Sequence, residues 1–186
     1  VFMDKEIKDI FLNIFPQLKH YQRIERIGLL DKELQKKIKA NHKLAALIID
    51  KSDNYEYFCY KYKVSNRTRN NFECIFKNFN DLSKENFLSE KNIKKTLYYY
   101  DKEYAESLII FYFFINSKIT NKELNTALQY LDNCEKPIFP ISGDLLKDYG
   151  FETGEKLGKT LKKIENYWVS NEFNIDKKTI EKLLKN

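Results

Sequence analysis

The spacing of apolar residues along the chain predicts a protein built almost entirely from helices. Positions three and four residues apart are apolar from Ile7 to Ile14, which predicts a first helix that ends before Pro16. The same spacing predicts a second helix from Leu18 to Ile27 that ends at Gly28, where the chain can turn out of the helix. A third, long helix is predicted from Leu34 to Ile48.

Helix start signals continue along the body of the chain. The run YEYFCYKY at 55–62 fits a strand or a helix by its period, and we interpret it as a short helix because its neighbours are helical. The strongest signal is a capping box, in which the side chains of Thr120 and Glu123 bind each other's backbone N–H groups. Helices are predicted to begin after the following residues: Ser65 or Asn66, Ser89, Asp101 and Thr120.

A loop at 134–142 marks the clearest boundary in the sequence, since Pro137 and Pro140 keep it extended. It separates a helical body, residues 1–136, from a C-terminal helical tail segment, residues 137–186. The expected fold class is therefore all-α, an irregular helical bundle with a C-terminal helical hairpin after the proline-containing loop. The tail helices are predicted near 144–149, over 154–171 and after Asp176.

Composition agrees with a helical protein and indicates the cellular compartment in which it is expected. Between Pro16 and Pro137 there is no proline and only one glycine, as helices require. The three cysteines form no CxxC pair, and with two histidines they show no metal-ligand spacing, so we expect a reducing compartment. No signal-peptide pattern is present, which predicts a cytoplasmic protein. The apolar run at 108–115 is too short for a bilayer and predicts a buried helix without a membrane partner.

The net charge of +6 comes from the first part of the chain. Residues 1–80 contain 16 lysines and arginines against 10 acidic residues, and all four arginines lie there. The stretch KYKVSNRTRNN at 61–71 has four basic residues and no acidic neighbour between Tyr57 and Phe72, and Ser65 or Asn66 would cap a helix beside them. A capped helix start with basic residues suits an RNA phosphate. A solvated basic helix face explains the pattern equally well.

Four of the five glycines fall within residues 143–158. Gly150 fits the end of the short tail helix, and Thr153 is predicted to cap the next one. Gly154 and Gly158 would lie one turn apart at its start, where the absence of a Cβ atom admits another backbone. Packing of a neighbouring helix is the commoner reason for such glycines, and contact with a phosphodiester strand is the functional alternative.

The sequence shows no motif of an active site. There is no GxxxxGK[ST] phosphate loop, no GxGxxG and no Asp-x-Asp pair after an apolar strand. Catalysis by this chain alone is therefore not expected.

The segment from Pro137 to Leu184 resembles the C-terminal segment of bacterial RNA nucleotidyltransferases, the tRNA CCA-adding enzymes and the related poly(A) polymerases. The shared pattern is an extended Pro-x-Phe-Pro-Ile, a Gly before a Leu-rich helix, a Gly after it, then Gly-x-x-(Ile/Leu)-Gly-x-x-Leu, Glu-x-x-Trp and a final amphipathic helix. Asp144 lies one residue after the first glycine, whereas family members usually carry Asp two residues after it. The matching positions are Pro140, Gly143, Leu146, Gly150, Gly154, Leu157, Gly158, Leu161, Glu165 and Trp168.

This resemblance implies the RNA-binding part of a CCA-adding or poly(A) polymerase type enzyme. The family's catalytic head, a small α/β domain with metal-binding carboxylates, and its neck motif precede such a region, and neither pattern appears here. We therefore expect a body and tail that is inactive alone and holds no cofactor, a divalent metal such as Mg²⁺ belonging to the head. The implied partners are tRNA or another RNA 3′ end and the head domain.

The candidate RNA-binding residues combine the basic stretch with the glycine-rich helix start. An all-α protein–protein interaction or scaffold module is the alternative, because the chain is rich in apolar and aromatic residues that could face a head domain. The candidate residues are Lys61, Lys63, Asn66, Arg67, Arg69, Gly154, Gly158 and Lys159.

Overall fold

The computed structural model describes residues 5–82 and 86–185, and within these ranges every regular element is helical. The all-α prediction is thus confirmed. The chain divides into two compact units, Val1–Cys134 and Glu135–Asn186. The helices of the first unit are α1 (Lys5–Ile14), α2 (Tyr21–Glu25) with a following 3₁₀ turn (Arg26–Leu29), α3 (Lys32–Lys37), α4 (Ala40–Ile48), α5 (Asn54–Lys61), α6 (Asn66–Leu82), α7 (Glu90–Tyr99), α8 (Lys102–Ile115) and α9 (Asn121–Asn133).

Helix α8 forms the centre of the first unit. Its residues from Ser107 to Phe114 are all buried, as the apolar run predicted, and α4, α6, α7 and α9 pack around it. A helix that is apolar on every side lowers its free energy by being enclosed in this way. No helix within residues 5–82 and 86–185 has the length and apolar content needed to cross a membrane.

Helix starts in the first unit follow the predicted caps. The Ser65 hydroxyl accepts a hydrogen bond from the Thr68 N–H over 3.2 Å, at the start of α6. The Thr120 hydroxyl accepts from the Glu123 N–H over 3.2 Å, and the Glu123 carboxylate accepts from the Thr120 N–H over 2.8 Å, which completes the capping box. The ambiguous run at 55–62 is helical, as α5.

The prediction of one long helix from Leu34 to Ile48 is wrong, because the chain leaves the helical conformation between α3 and α4. Ile38 has ψ 94° and Lys39 has ψ 166°. The Lys39 N–H donates to Nδ1 of His42 over 3.2 Å, so α4 begins anew after Lys39. Leu34 and Ile38 are both buried in the core.

The predicted second helix also differs from the structure. Helix α2 begins at Tyr21 rather than near Leu18, and Gly28 lies inside the 3₁₀ turn instead of ending an α-helix. The Leu30 N–H donates to the Ile27 carbonyl over 3.1 Å, which closes this turn. Three-residue spacing of apolar side chains suits a 3₁₀ turn as well as an α-helix, so the pattern alone misplaced the boundary.

The second unit contains a short helix and a helical pair. Its core is formed by Ile141, Leu146, Ile164 and Ile180. The Trp168 ring is buried between Phe139, with ring centroids 5.3 Å apart, and Phe173, with centroids 4.9 Å apart. The proline-containing loop thus joins the core through an aromatic contact. The helices are α10 (Gly143–Asp148), α11 (Glu155–Ser170) and α12 (Lys177–Lys185).

Gly150 ends α10 as predicted. Its φ of 86° is in the left-handed region that favours glycine. The Gly150 N–H donates to the Lys147 carbonyl over 2.8 Å, and the Phe151 N–H donates to the Leu146 carbonyl over 3.2 Å. This pair of bonds is the Schellman arrangement, and it turns the chain toward α11.

Candidate nucleic-acid interface

The predicted basic residues of the first unit lie where α5 ends and α6 begins. We call Lys61, Lys63, Asn66, Arg67 and Arg69 the α5–α6 corner, and all five residues are exposed. Lys63 adopts a φ of 48°, in the left-handed region, and so reverses the chain between the two helices. The Ser65 hydroxyl caps the Thr68 N–H, so α6 begins directly beside the basic side chains.

The two arginines of the corner make different contacts. Two residues apart on α6, they leave the helix in nearly opposite directions. Arg67 binds Glu103 at the start of α8 through two hydrogen bonds, Nε to Oε1 over 3.0 Å and Nη2 to Oε2 over 2.6 Å. Arg69 instead lies against Cys59 of α5, where it opposes the effect of burial, which raises the pKa of that thiol.

The lysines of the corner are presented to solvent. Lys61 places its Nζ 5.3 Å from the centre of the Tyr62 ring and 6.0 Å from that of Tyr57. These distances suit cation–π contacts. Lys61, Lys63 and Arg69 thus form the accessible cationic part of the corner, whereas Arg67 is partly neutralised by Glu103.

A buried network of polar side chains connects α6 of the corner to α4 and α8. His42 Nδ1 accepts from the Lys39 N–H, which assigns the ring proton to Nε2, and Nε2 lies 3.3 Å from the Ser107 hydroxyl. Asn71 of α6 donates to the same hydroxyl over 2.8 Å, and Ser107 donates to the Glu103 carbonyl over 3.0 Å. Burial lowers the pKa of His42 to about 4. The network thereby ties α4, α6 and the first turn of α8 together with a neutral imidazole.

The other two arginines are held in structural contacts. Arg23 donates from Nη1 to the Ala46 carbonyl over 3.0 Å and to the Ile49 carbonyl over 2.6 Å, at the end of α4. Arg26 donates to the Ile119 carbonyl over 2.8 Å and lies 4.4 Å from the centre of the Phe113 ring. The basic excess counted along the sequence therefore overstates the charge available to a polyanion.

In the second unit, Gly154 and Gly158 lie at the start of α11. Gly154 has a φ of 154° and occupies the N-cap position, so the predicted Thr153 cap is wrong. Apart from the adjoining residues and the backbone of the helix itself, no heavy atom of the described residues lies within 4 Å of the position that a Cβ atom would take at either glycine. Close helix packing inside the structure therefore does not explain them, and the start of α11 is open to an approaching molecule.

A cleft of about 390 Å³ runs along α11 next to this open helix start. Lys156, Lys159 and Lys163 lie on one side of it, and Leu183 and Leu184 of α12 lie on the other. Lys159 pairs with Glu155 over 2.6 Å, and Lys156 lies 5.9 Å from the centre of the Phe151 ring. With one acidic residue against three lysines, the cleft suits an anionic ligand.

Comparison with known proteins identifies the chain at the level of its family. The family model for the putative second domain of tRNA nucleotidyltransferases matches residues 32–184. The chain belongs to this family. The resemblance found in the tail is confirmed and extends through most of the body. No curated protein and no solved structure shows significant similarity to the chain.

Nucleotide addition by a tRNA nucleotidyltransferase is expected to need a divalent metal. Within residues 5–82 and 86–185, no group of three or more His, Cys, Asp and Glu side chains is arranged to hold one. The carboxylates near the α5–α6 corner are engaged by cations instead, as in the pairs of Glu103 with Arg67 and Glu106 with Lys39. The described part of this tRNA nucleotidyltransferase domain therefore does not fit a catalytic metal, and no step is assigned to one.

Sequence reasoning missed two lysines of this tRNA nucleotidyltransferase domain. Lys156 and Lys163 line the same cleft as Lys159, which was the only lysine of α11 selected. A signal was present, because lysines three and four residues to either side of Lys159 share one face of a helix. Spacing alone could not show that Leu183 and Leu184 of α12 line the opposite side of the cleft.

Proposed function

We propose that this chain is the RNA-binding part of an RNA nucleotidyltransferase, which holds tRNA or another RNA 3′ end while a separate catalytic head adds nucleotides. The observation that carries the proposal is the family match over residues 32–184. CCA addition and poly(A) addition would both use such a part. In this proposal the chain adds no nucleotide on its own.

Surface charge in each unit supports this proposal independently. The α5–α6 corner offers Lys61, Lys63 and Arg69 to solvent beside the start of α6. In the second unit, the α11 cleft offers three lysines beside the open glycines. Lysine and arginine side chains together with helix N–H groups are the usual donors to phosphate oxygens.

A protein-interaction module is the second candidate function. Exposed apolar side chains support it, since Ile10 and Ile14 lie one turn apart on α1 and are both largely exposed. Two further large aliphatic residues with exposed side chains, Leu29 and Ile138, lie in the 3₁₀ turn and in the proline-containing loop. Ile10 and Ile14 share a face of α1, but Leu29 and Ile138 lie on other elements, and the basic surfaces favour the RNA proposal.

The proposal is tested with variants that remove the positive charges of each surface. The first removes the corner (Lys61, Lys63, Arg67 and Arg69, each to Ala), and the second removes the cleft lysines (Lys156, Lys159 and Lys163, each to Ala). A control removes Lys91, Lys94 and Lys95 from α7. We expect each site variant to weaken tRNA binding by about tenfold or more, and the control by less than about threefold.

Two outcomes would contradict the proposal. The first is equal weakening in the site variants and the control, which would reduce RNA binding to unspecific attraction by a basic protein. The second is incorporation of labelled nucleotide into tRNA by the purified chain alone, which would contradict the division of labour between this part and a head domain.

A further inference from the structure

Two tyrosines of α5 are more exposed than their size favours. Tyr57 is 54% exposed and Tyr60 is 81% exposed. They lie three residues apart, and therefore on the same side of the helix. Other aromatic residues of this segment, such as Tyr55 and Phe58, are buried in the core. The outer face of α5 thus presents two aromatic rings to solvent.

Cations border these rings. Lys61 lies four residues after Tyr57, and its Nζ is 6.0 Å from the centre of the Tyr57 ring. Lys63 and Arg69 follow in the α5–α6 corner. Glu56 is the nearest acidic side chain on α5, and its carboxylate accepts a hydrogen bond from the Tyr55 hydroxyl over 3.0 Å. The surface therefore combines aromatic faces with a positive edge.

We propose that Tyr57 and Tyr60 stack on unpaired bases of the RNA whose phosphates bind Lys61, Lys63 and Arg69. This inference rests on the proposed function and specifies that the RNA segment bound at the corner is single-stranded. Aromatic platforms beside a positively charged groove are the usual means by which proteins hold single strands. In a duplex the base faces are covered by stacking, so the tyrosines would have no partner there.

A protein surface is the other class of partner for exposed tyrosines. Protein contacts draw on aromatic residues too, but they give no reason for several adjacent cations without a matching acidic cluster. Charge complementarity therefore favours the polyanion. The test keeps a protein contact as one of its outcomes.

The experiment measures binding of two labelled RNAs to the full chain: an unstructured uridylate hexamer and a blunt duplex. The variants are Tyr60→Ala, Tyr60→Phe and the double variant Tyr57→Ala/Tyr60→Ala. Tyr99→Ala, which removes a partly exposed tyrosine from α7, is the matched control. Thermal melts check that each variant is folded.

We expect Tyr60→Ala to weaken hexamer binding by about tenfold and the double variant to weaken it further, because one base stack contributes about that much affinity. Tyr60→Phe should stay within about twofold of the wild type, since stacking needs the ring and not the hydroxyl. Duplex binding should change by less than about twofold in every tyrosine variant.

Each other result overturns the inference in a distinguishable way. Hexamer binding that depends on the corner lysines but not on the tyrosines would leave the proposed function standing and assign Tyr57 and Tyr60 to a protein contact. Equal losses in Tyr60→Ala and Tyr60→Phe would replace stacking by a hydroxyl contact. Absence of binding to both RNAs by the wild type would overturn the inference and the proposed function together.

Discussion

Arg67 and Glu103 form a two-point ion pair that joins the first turn of α6 to the first turn of α8. The guanidinium donates from Nε to Oε1 over 3.0 Å and from Nη2 to Oε2 over 2.6 Å. These hydrogen bonds hold the pKa of Glu103 below its usual value and raise that of Arg67. The pair keeps an arginine at the candidate RNA surface while neutralising much of its charge.

Replacement of Glu103 by Gln should therefore strengthen RNA binding. The change removes a negative charge from the corner and releases the Arg67 guanidinium to a phosphate, so we expect tRNA affinity to rise by about two- to threefold. The measurement is a tRNA titration of both proteins at one salt concentration. Glu90→Gln on α7 is the charge-matched control and should change affinity less. Weaker binding by the Glu103 variant would show that the pair orders the corner for RNA.

The buried His42 predicts a loss of stability in mild acid. Burial lowers its pKa in the folded state to about 4, against 6.5 for the ordinary group. As pH falls from 6.5 toward 4, the unfolded chain takes up this proton before the folded chain does, so the free energy of unfolding decreases. Protonation of His42 does not affect the free energy of unfolding above about pH 6.5. By pH 4 it has lowered that free energy by about 3 kcal/mol.

Urea unfolding at several pH values between 7.5 and 4 measures this loss, with His42→Gln as the comparison. The variant should be less stable at pH 7 and should show a smaller decrease toward pH 4. A direct check is the NMR titration of the His42 ring. A ring pKa near 6.5 in the folded protein would contradict the buried neutral imidazole.

Two glycines of the tail should respond oppositely to alanine. Gly150 has a φ of 86°, so Gly150→Ala should lower the free energy of unfolding by about 1 kcal/mol. Gly158 lies within α11 and has open space around it, so Gly158→Ala should raise that free energy by up to about 1 kcal/mol. Chemical denaturation measures both changes.

Gly158→Ala also tests the predicted RNA contact. A stabilised variant that binds tRNA less well than the wild type would place RNA against the α11 backbone. Unchanged tRNA affinity in the stabilised variant would remove Gly158 from the candidate interface.

The stability changes caused by Arg23→Ala and Arg69→Ala should distinguish an arginine that stabilises the fold from one that is available to RNA. Arg23→Ala leaves two carbonyls at the end of α4 without their donor, so we expect the free energy of unfolding to fall by about 2–3 kcal/mol. Arg69→Ala removes an exposed side chain and should change stability by less than about 0.5 kcal/mol. Circular dichroism in urea gives both values. A larger loss for Arg69 would contradict this assignment.

Local signals in the sequence were sufficient for most helix starts. The Thr120 capping box, the Ser65 cap and the left-handed Gly150 each act over a few residues, so their chemistry can be read directly from the chain. The break at Ile38 and Lys39 could not be read in this way. The hydrogen bond from the Lys39 N–H to His42 spans only three residues, but histidine is not a usual helix-start signal, and the burial of Ile38 arises only in the folded unit.

The candidate site shows the same division between local and distant contacts. Spacing placed Lys61, Lys63 and Arg69 in one short stretch, and the structure exposes all three. Spacing could not reveal that Glu103, 36 residues later, holds Arg67. Nor could spacing reveal that Leu183 and Leu184 of α12 line the cleft opposite the α11 lysines, because that arrangement involves two separate helices.

The central claim is that the α5–α6 corner binds RNA phosphates, and the salt dependence of tRNA affinity tests it most directly. Affinity would be measured from low to moderate salt for the wild type and for the variant with Lys61, Lys63, Arg67 and Arg69 replaced by Ala. We predict that the wild-type affinity falls steeply with salt, and that the log–log slope becomes shallower by about 2–3 in the variant, because about 0.7–0.9 counterions are released for each phosphate contact of Lys61, Lys63 and Arg69. Equal slopes for the two proteins, or a wild-type affinity that does not change with salt, would contradict the claim.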